Sequence, residues 1–305
     1  MFRRPPGAPS TVPDAAFPYW SSDQAQRFRA LVRAALAEAG VEATVYADYA
    51  EDAGSRKFGL GNLAAVCHND HRGERAWRKI VQNHVRAILS GMDGQSPFDT
   101  MPASAILAAT YLRLMPAEDV LPNMSYARPV APGLAEVFNL DLPATVTYFT
   151  DDHVSSLGYT ALREAGLTNL SAVPVDKHET LEHNGGTVEV LLGESVFTAS
   201  LLLVLEQVLD RYGLTADPDL GAFVGVPNRH QLDFHIPADA RAIPSLNVLA
   251  AFTAAGYRDA AGVLSPNVYW WRPSGLRRIS NLTPDGPRIE VDAELQAVLE
   301  TIVRH

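Results

Sequence analysis

The sequence predicts a protein of the α+β or mixed α/β class, with mixed sheets flanked by helices and two related halves. Three observations predict it. Amphipathic helical stretches alternate with short β-rich runs. Hairpin signals, chiefly Asn184-Gly185-Gly186, interrupt that alternation and argue against a purely parallel sheet. The pattern Gly-Leu-x-Asn-Leu-x-Ala-Val is written twice, at residues 59–66 and 166–173, as an internal duplication would leave it.

Residues 1–20 are rich in Pro, Ala and Ser and read as a flexible tail. The N-terminal half, 21–115, opens with a helix from a Ser/Asp start to Gly40, with Phe28, Leu31, Val32, Ala35 and Leu36 on one stripe. "ATVYADYA" (43–50) alternates like a strand, and "FGLGNLAAV" follows. A second helix places Trp77, Ile80, Val81, Val85 and Ile88 on one face, and "AILAATYLRLMP" (105–116) reads as an apolar strand. Residues 116–133 carry little periodicity among their prolines and read as a connector.

The C-terminal half, 134–305, repeats the order from "ATVTYFTDD" (144–152) through "AGLTNLSAV" (165–173). A hairpin through 184–186 is inserted, then a long helix over 195–213 and a strand at 221–227. "QLDFHIP" is a strand, 245–256 a helix, and "NVYWWRP" and "PRIEV" are strands. The closing helix buries Leu295, Val298, Leu299, Ile302 and Val303.

Composition narrows the function. The net charge of −10 repels phosphate backbones and acidic membranes, so nucleic acid and membrane partners are disfavoured and a basic protein is favoured. Cys67 is the only cysteine, which excludes an internal disulfide and a multi-cysteine zinc site. With no export signal and no apolar run long enough to span a bilayer, a cytoplasmic location is expected.

The repeated motif has two readings. As a phosphate loop it lacks the third glycine and the Lys-Ser/Thr, and its second copy has lost another glycine. As a structural joint it suits both copies, with Leu60, Leu63 and Val66, like Leu167, Leu170 and Val173, at helical spacing. Asn62 and Asn169 would then bond backbone where a strand gives way to a helix.

"ALREAGLTNLSAVPV", "FTASLLLVLEQVLDRYG" and "GAFVGVPNRHQLDF", in that order, resemble the signature of the YtpQ-like bacterial proteins, a family of unknown function. The resemblance covers about residues 140–237. It implies a fold and no mechanism.

The chemistry-bearing clusters each carry a bland alternative. In "HETLEH", His178 and His183 are five apart and do not share a face, which argues against a zinc-protease helix. "CHNDH" (67–71) is a polar loop or part of a soft-metal site; no metal and no cofactor is expected. Asp151, Asp152 and His153 end a strand, where α/β enzymes keep catalytic groups, yet Asp and Ser also cap helices there. In "VPNRHQLDFH", Asn228, Arg229 and His230 can project into a cleft. Arg229 suits a carboxylate or phosphate, and Asp233 can orient His235 as a general base. Trp270, Trp271 and Arg272 have the composition of an interaction hot spot or of a packed edge strand.

The expected function is therefore a non-catalytic binding or accessory protein, regulatory or toxin-neutralising. It would act through its acidic surface and the Trp/Arg strand, with Asn228 and Arg229 as further binding residues. The alternative is a cytoplasmic hydrolase or transferase with a His/Asp/Arg cleft.

Overall fold

The computed structural model describes residues 12–54, 56–92, 96–142 and 145–304, and the chain divides into two compact units, Met1–Gln95 and Ser96–His305. Of the expected tail, residues 1–11 lie outside the described residues.

In the first unit, α1 (Ser22–Glu38) starts at a capping box. Ser21 Oγ accepts from the Gln24 amide while the Gln24 side chain accepts from the Ser21 amide. The buried stripe is Ala25, Phe28, Val32, Ala35 and Leu36. A three-stranded antiparallel meander follows: β1 (Ala43–Val45), β2 (Tyr49–Asp52) and β3 (Lys57–Gly59). The expected single strand at 43–50 thus bends into a hairpin, closed by the Tyr46 amide donating to the Tyr49 carbonyl. Helices α2 (Gly61–Asn69) and α3 (Glu74–Met92) complete the unit. Phe17 and Trp20 come from the expected tail yet are 2% and 3% exposed, packing on Phe28 and Trp77. Their apolar area fastens residues 16–20 to the core despite the local Pro and Ala content.

Among the described residues the second unit holds two larger sheets, and every strand pairing there is antiparallel. In the first, β6 (Leu134–Leu142) is flanked by β4 (Thr110–Pro116) on one edge. The other edge is shared by β5 (Arg128–Ala131) and β7 (Thr145–Tyr148). The second has the order β13-β12-β10-β11-β9-β8, from β8 (Lys177–His183), β9 (Gly186–Leu192), β10 (Ala222–Gly225), β11 (Gln231–His235), β12 (Val268–Arg272) and β13 (Gly275–Arg278). The β8–β9 turn is the expected one, with Asn184 and Gly185 at φ 48° and 79°. A small ribbon joins β14 (Ser280–Thr283) to β15 (Gly286–Ile289).

Helices α4 (Pro97–Thr100), α5 (Ala103–Ala108), α6 (Asp151–Leu157), α7 (Tyr159–Ser171) and α8 (Leu205–Arg211) belong with one core, while α9 (Ala242–Asp259) and α10 (Ala293–Arg304) cover another. The six-stranded sheet serves both by alternation. Val224, Leu232, Phe234 and Tyr269 join the core shared with the first sheet, whereas Val190, Phe223, Val268 and Trp270 face α9. Gly225 lets α9 approach, because a Cβ there would lie 2.1 Å from Thr253 Oγ1.

Four expectations change here. Residues 105–116 split into α5 and β4. The long helix at 195–213 is a 3-10 turn over Ala199–Val204 followed by α8, because 199–205 is buried almost all round and lacks a polar face to orient one continuous helix. The expected connector, 116–133, contributes β5 to the first sheet and buries Met124 against Met115 and Val137. In α10, Leu295 and Ile302 are buried but Val303 is 50% exposed.

The two motif copies occupy different settings. The first spans the joint from β3 into α2; the second is the last half of α7. There Gly166 admits β4, since a Cβ would lie 3.0 Å from the Leu112 nitrogen. Asn169 Nδ2 donates to the carbonyls of Leu107, Ala108 and Thr110 at 3.0, 3.2 and 2.7 Å. One amide therefore satisfies the end of α5 where it turns into β4. Asn169→Ala is expected to lower stability by about 1 to 2 kcal/mol, measured as a reduced urea midpoint; an unchanged midpoint would refute this role.

Candidate functional site

The densest buried polar group lies at the β10–β11 hairpin. The strands deliver Asn228, Arg229 and His230 into a turn held against residues 262–265: the Arg229 amide donates to the Gly262 carbonyl and the Leu264 amide to that of Pro227, both at 2.9 Å. Gly262 sits at φ 69° beneath the arginine, where a Cβ would lie 2.7 Å from Arg229 Cδ. Arg229 Nε donates to His230 Nε2 at 2.9 Å, so the imidazole proton is on Nδ1, which donates to the Gly193 carbonyl at 3.1 Å. His230 is thus a neutral tautomer that orients a guanidinium. Burial first, and then the Arg229 charge, push its pKa below the usual histidine range.

Arg229 itself is depressed, by burial and then by the charge of Arg113 from β4. The Arg113 guanidinium sits 5.6 Å from the Tyr148 ring centroid, and Tyr148 also acts electrostatically on Arg229. Among the described residues no carboxylate pairs with Arg113 or Arg229. Two half-buried cations that repel one another without a counter-charge form an electrostatic receptor for an anion.

Behind the turn, a hydrogen-bond chain runs inward. The His230 amide donates to Asn228 Oδ1, and Asn228 Nδ2 to Gln231 Oε1. Gln231 Nε2 then donates to both oxygens of Asp233, at 2.9 and 3.0 Å. Asp233 is fully buried, and burial pushes its carboxyl up to about 8. This corrects the expected Asp233–His235 pair, because both carboxyl oxygens are engaged by Gln231. His235 instead bonds the Thr187 backbone, and burial lowers its pKa.

No family model matches the chain, nor does any curated protein or solved structure. Function is therefore read from the side chains themselves.

The other expected site residues have local employment. Asp151 Oδ1 accepts from the Tyr126 amide at 3.1 Å. His153 Nδ1 accepts from the Thr150 amide at 3.1 Å, closing the N-terminus of α6, and its ring stacks on Phe98 with centroids 3.7 Å apart. Asp152 and His153 line an open cleft of about 390 Å³ with Asp99 and Ser156. His178 bonds Glu189 across the hairpin. Cys67 is buried, its thiol pushed up to about 12, and His68 stacks on Tyr19. Among the described residues no group of three or more His, Cys, Asp or Glu side chains is placed to hold a metal ion.

The Trp/Arg strand is packed structure. Trp270 is 1% exposed, donates from Nε1 to the Leu220 carbonyl at 2.7 Å, and has the Arg272 and Arg277 guanidiniums 4.2 and 4.9 Å from its ring centroid. Arg272 pairs with Glu294 at 2.7 Å, and half-buried Trp271 packs on the core that the two sheets share. This corrects the expectation of a Trp270 face available to a partner: as a central member of its sheet, β12 has neighbours on both edges.

Arg113, Tyr148 and Asn139 were not expected in a site. Arg113 and Asn139 carry one sequence signal, a polar side chain inside an apolar strand pattern, in "YLRLMP" and "VFNLDL".

Proposed function

We propose that this chain is a non-catalytic binding protein whose C-terminal unit takes an anionic group, carboxylate or phosphate in class, between Arg113 and Arg229. The reading rests on two neighbouring half-buried arginines without a carboxylate partner, one of them held by a neutral histidine. An anion there relieves the repulsion between the guanidiniums and accepts charge-assisted hydrogen bonds, each contributing about 1.5 to 3 kcal/mol. His230 serves as a positioning residue, since its lone pair is already engaged by Arg229.

Isothermal titration of the full chain with inorganic phosphate, sulfate, acetate and glycolate tests this. Wild-type protein is expected to bind at least one of them, and Arg229→Gln to weaken that binding by about tenfold or more. Failure of all four to bind the wild-type chain refutes the reading.

A further inference from the structure

The face of the first sheet that carries Arg113 holds a second unusual group. Asn139 in β6 lies directly across from Tyr111 in β4 and from Tyr148 in β7, and Arg113, paired with Val137, is its diagonal neighbour on the same face. Asn139 is 0% exposed, and both Oδ1 and Nδ2 are buried without a hydrogen-bond partner. Burying either atom unpaired costs about 1 to 3 kcal/mol, so a side chain that leaves both unpaired needs an occupant or a reason.

The donor inventory supplies one. Arginine offers only donors, so Arg113 and Arg229 are satisfied by any anion. The Asn139 amide offers a donor at Nδ2 and an acceptor at Oδ1. A fully deprotonated oxyanion satisfies Nδ2 and the arginines, but sets its lone pairs against Oδ1. An anion that carries its own donor satisfies all three side chains, and on an oxyanion the simplest such donor is an O–H.

We infer that the ligand of this site is an oxyanion bearing a hydroxyl proton, of the hydrogen phosphate or hydroxycarboxylate class, with Asn139 Oδ1 accepting that proton's hydrogen bond and Nδ2 donating to a neighbouring oxygen. The inference rests on the Arg113/Arg229 reading and deepens it. Arg113 is half-buried and not held by a carboxylate among the described residues, and as the diagonal neighbour of Asn139 it is placed to share a ligand with the amide. Tyr111 and Tyr148 lie across from Asn139 on its two sides. Asn139 is a specificity residue here, and the arginines supply the affinity.

The test uses matched pairs that differ in the O–H: phosphate against sulfate, and glycolate against acetate, titrated calorimetrically into the full chain at pH 7. One pair is expected to show a preference of about tenfold or more for the hydroxylated member. The pair that shows it distinguishes a tetrahedral ligand from a planar one. Asn139→Leu, which keeps the branch at Cγ but removes both polar atoms, is expected to weaken the hydroxylated member more than its partner and to bring the preferred pair within about twofold of equality. Equal wild-type affinities within both pairs overturn the inference while leaving the anion site standing; no binding of any of the four removes the site itself. Should the variant fail to fold, the wild-type ratios decide the matter alone.

Discussion

Trp270→Ala is expected to lower the unfolding free energy by about 3 to 5 kcal/mol, the range for removing a large aromatic from a close-packed core. The indole is 1% exposed among Val188, Phe223, Leu249 and Val268. Its Nε1 donates to the Leu220 carbonyl, and truncation leaves that acceptor unpaired. The ring is also a platform for two cations: Arg272 reaches on to Glu294, and Arg277 pairs with Asp292. Asp292 in turn accepts from the Leu295 amide at the start of α10. Removing the ring thus loosens the seat of α10 as well as leaving a void. Trp271→Ala should cost less, since that side chain is half-buried. Urea unfolding followed by circular dichroism measures both. A Trp270→Ala midpoint equal to wild type would contradict the core assignment and return this strand to consideration as a contact surface.

Asp233→Asn should flatten the pH dependence of stability and leave the variant more stable than wild type at pH 8.5. The folded chain keeps the Asp233 proton up to about 8, whereas the unfolded chain releases it near the ordinary value of 3.8. A raised folded pKa contributes stability that is complete below the unfolded value and is lost as pH rises towards the folded one. Between about pH 4 and 8 wild type is therefore expected to lose on the order of 1 kcal/mol per pH unit through this group. Burial is the main cause, offset in part by the Gln231 amide. His230 and His235 are depressed by burial and shift stability in the opposite sense, losing it as pH falls below about 6.5. Because both histidines are present in each protein, the wild-type-minus-variant difference isolates Asp233. Urea midpoints at pH 5.5, 7 and 8.5 supply that difference; parallel curves for the two proteins would show that Asp233 is ionised in the fold.

Much of the local architecture was legible because it depends on neighbours in sequence. The Ser21/Gln24 box starts α1, the Asn184-Gly185 pair makes the β8–β9 turn, and alternation marks β9 and β11. Such features follow from hydrogen-bonding reach and side-chain period, and both are encoded within a few residues. The repeated motif was half legible. Its spacing announced helix and its asparagine a backbone bond, as Asn169 makes. Yet the two copies fall at opposite ends of their helices, a difference that eight residues do not carry.

The site was legible only in part. Arg229 and His230 stood out because they interrupt an apolar stretch and lie close together. Their partners did not: Arg113 and Asn139 lie about ninety or more residues earlier, and Tyr148 reads as an ordinary strand residue. A cation's meaning depends on which charge faces it, and that is fixed by sheet register and by the packing of the two sheets. Trp270 carries the same lesson. Composition marks Trp beside Arg as suited to an interface or to a core, and burial alone chooses between them.

By itself, then, the sequence determined an acidic, core-forming chain of mixed helices and strands, with its turns, caps and amphipathic faces. Those properties are set by composition and short-range geometry. Tertiary structure decided which polar groups meet: Asp233 with Gln231 and not His235, His153 with its own helix cap, and Arg229 with His230 beside Arg113. The physical reason is that charge and hydrogen bonding act through space over a few ångströms, whereas the residues that come so close are brought there by strands and helices far apart in the chain.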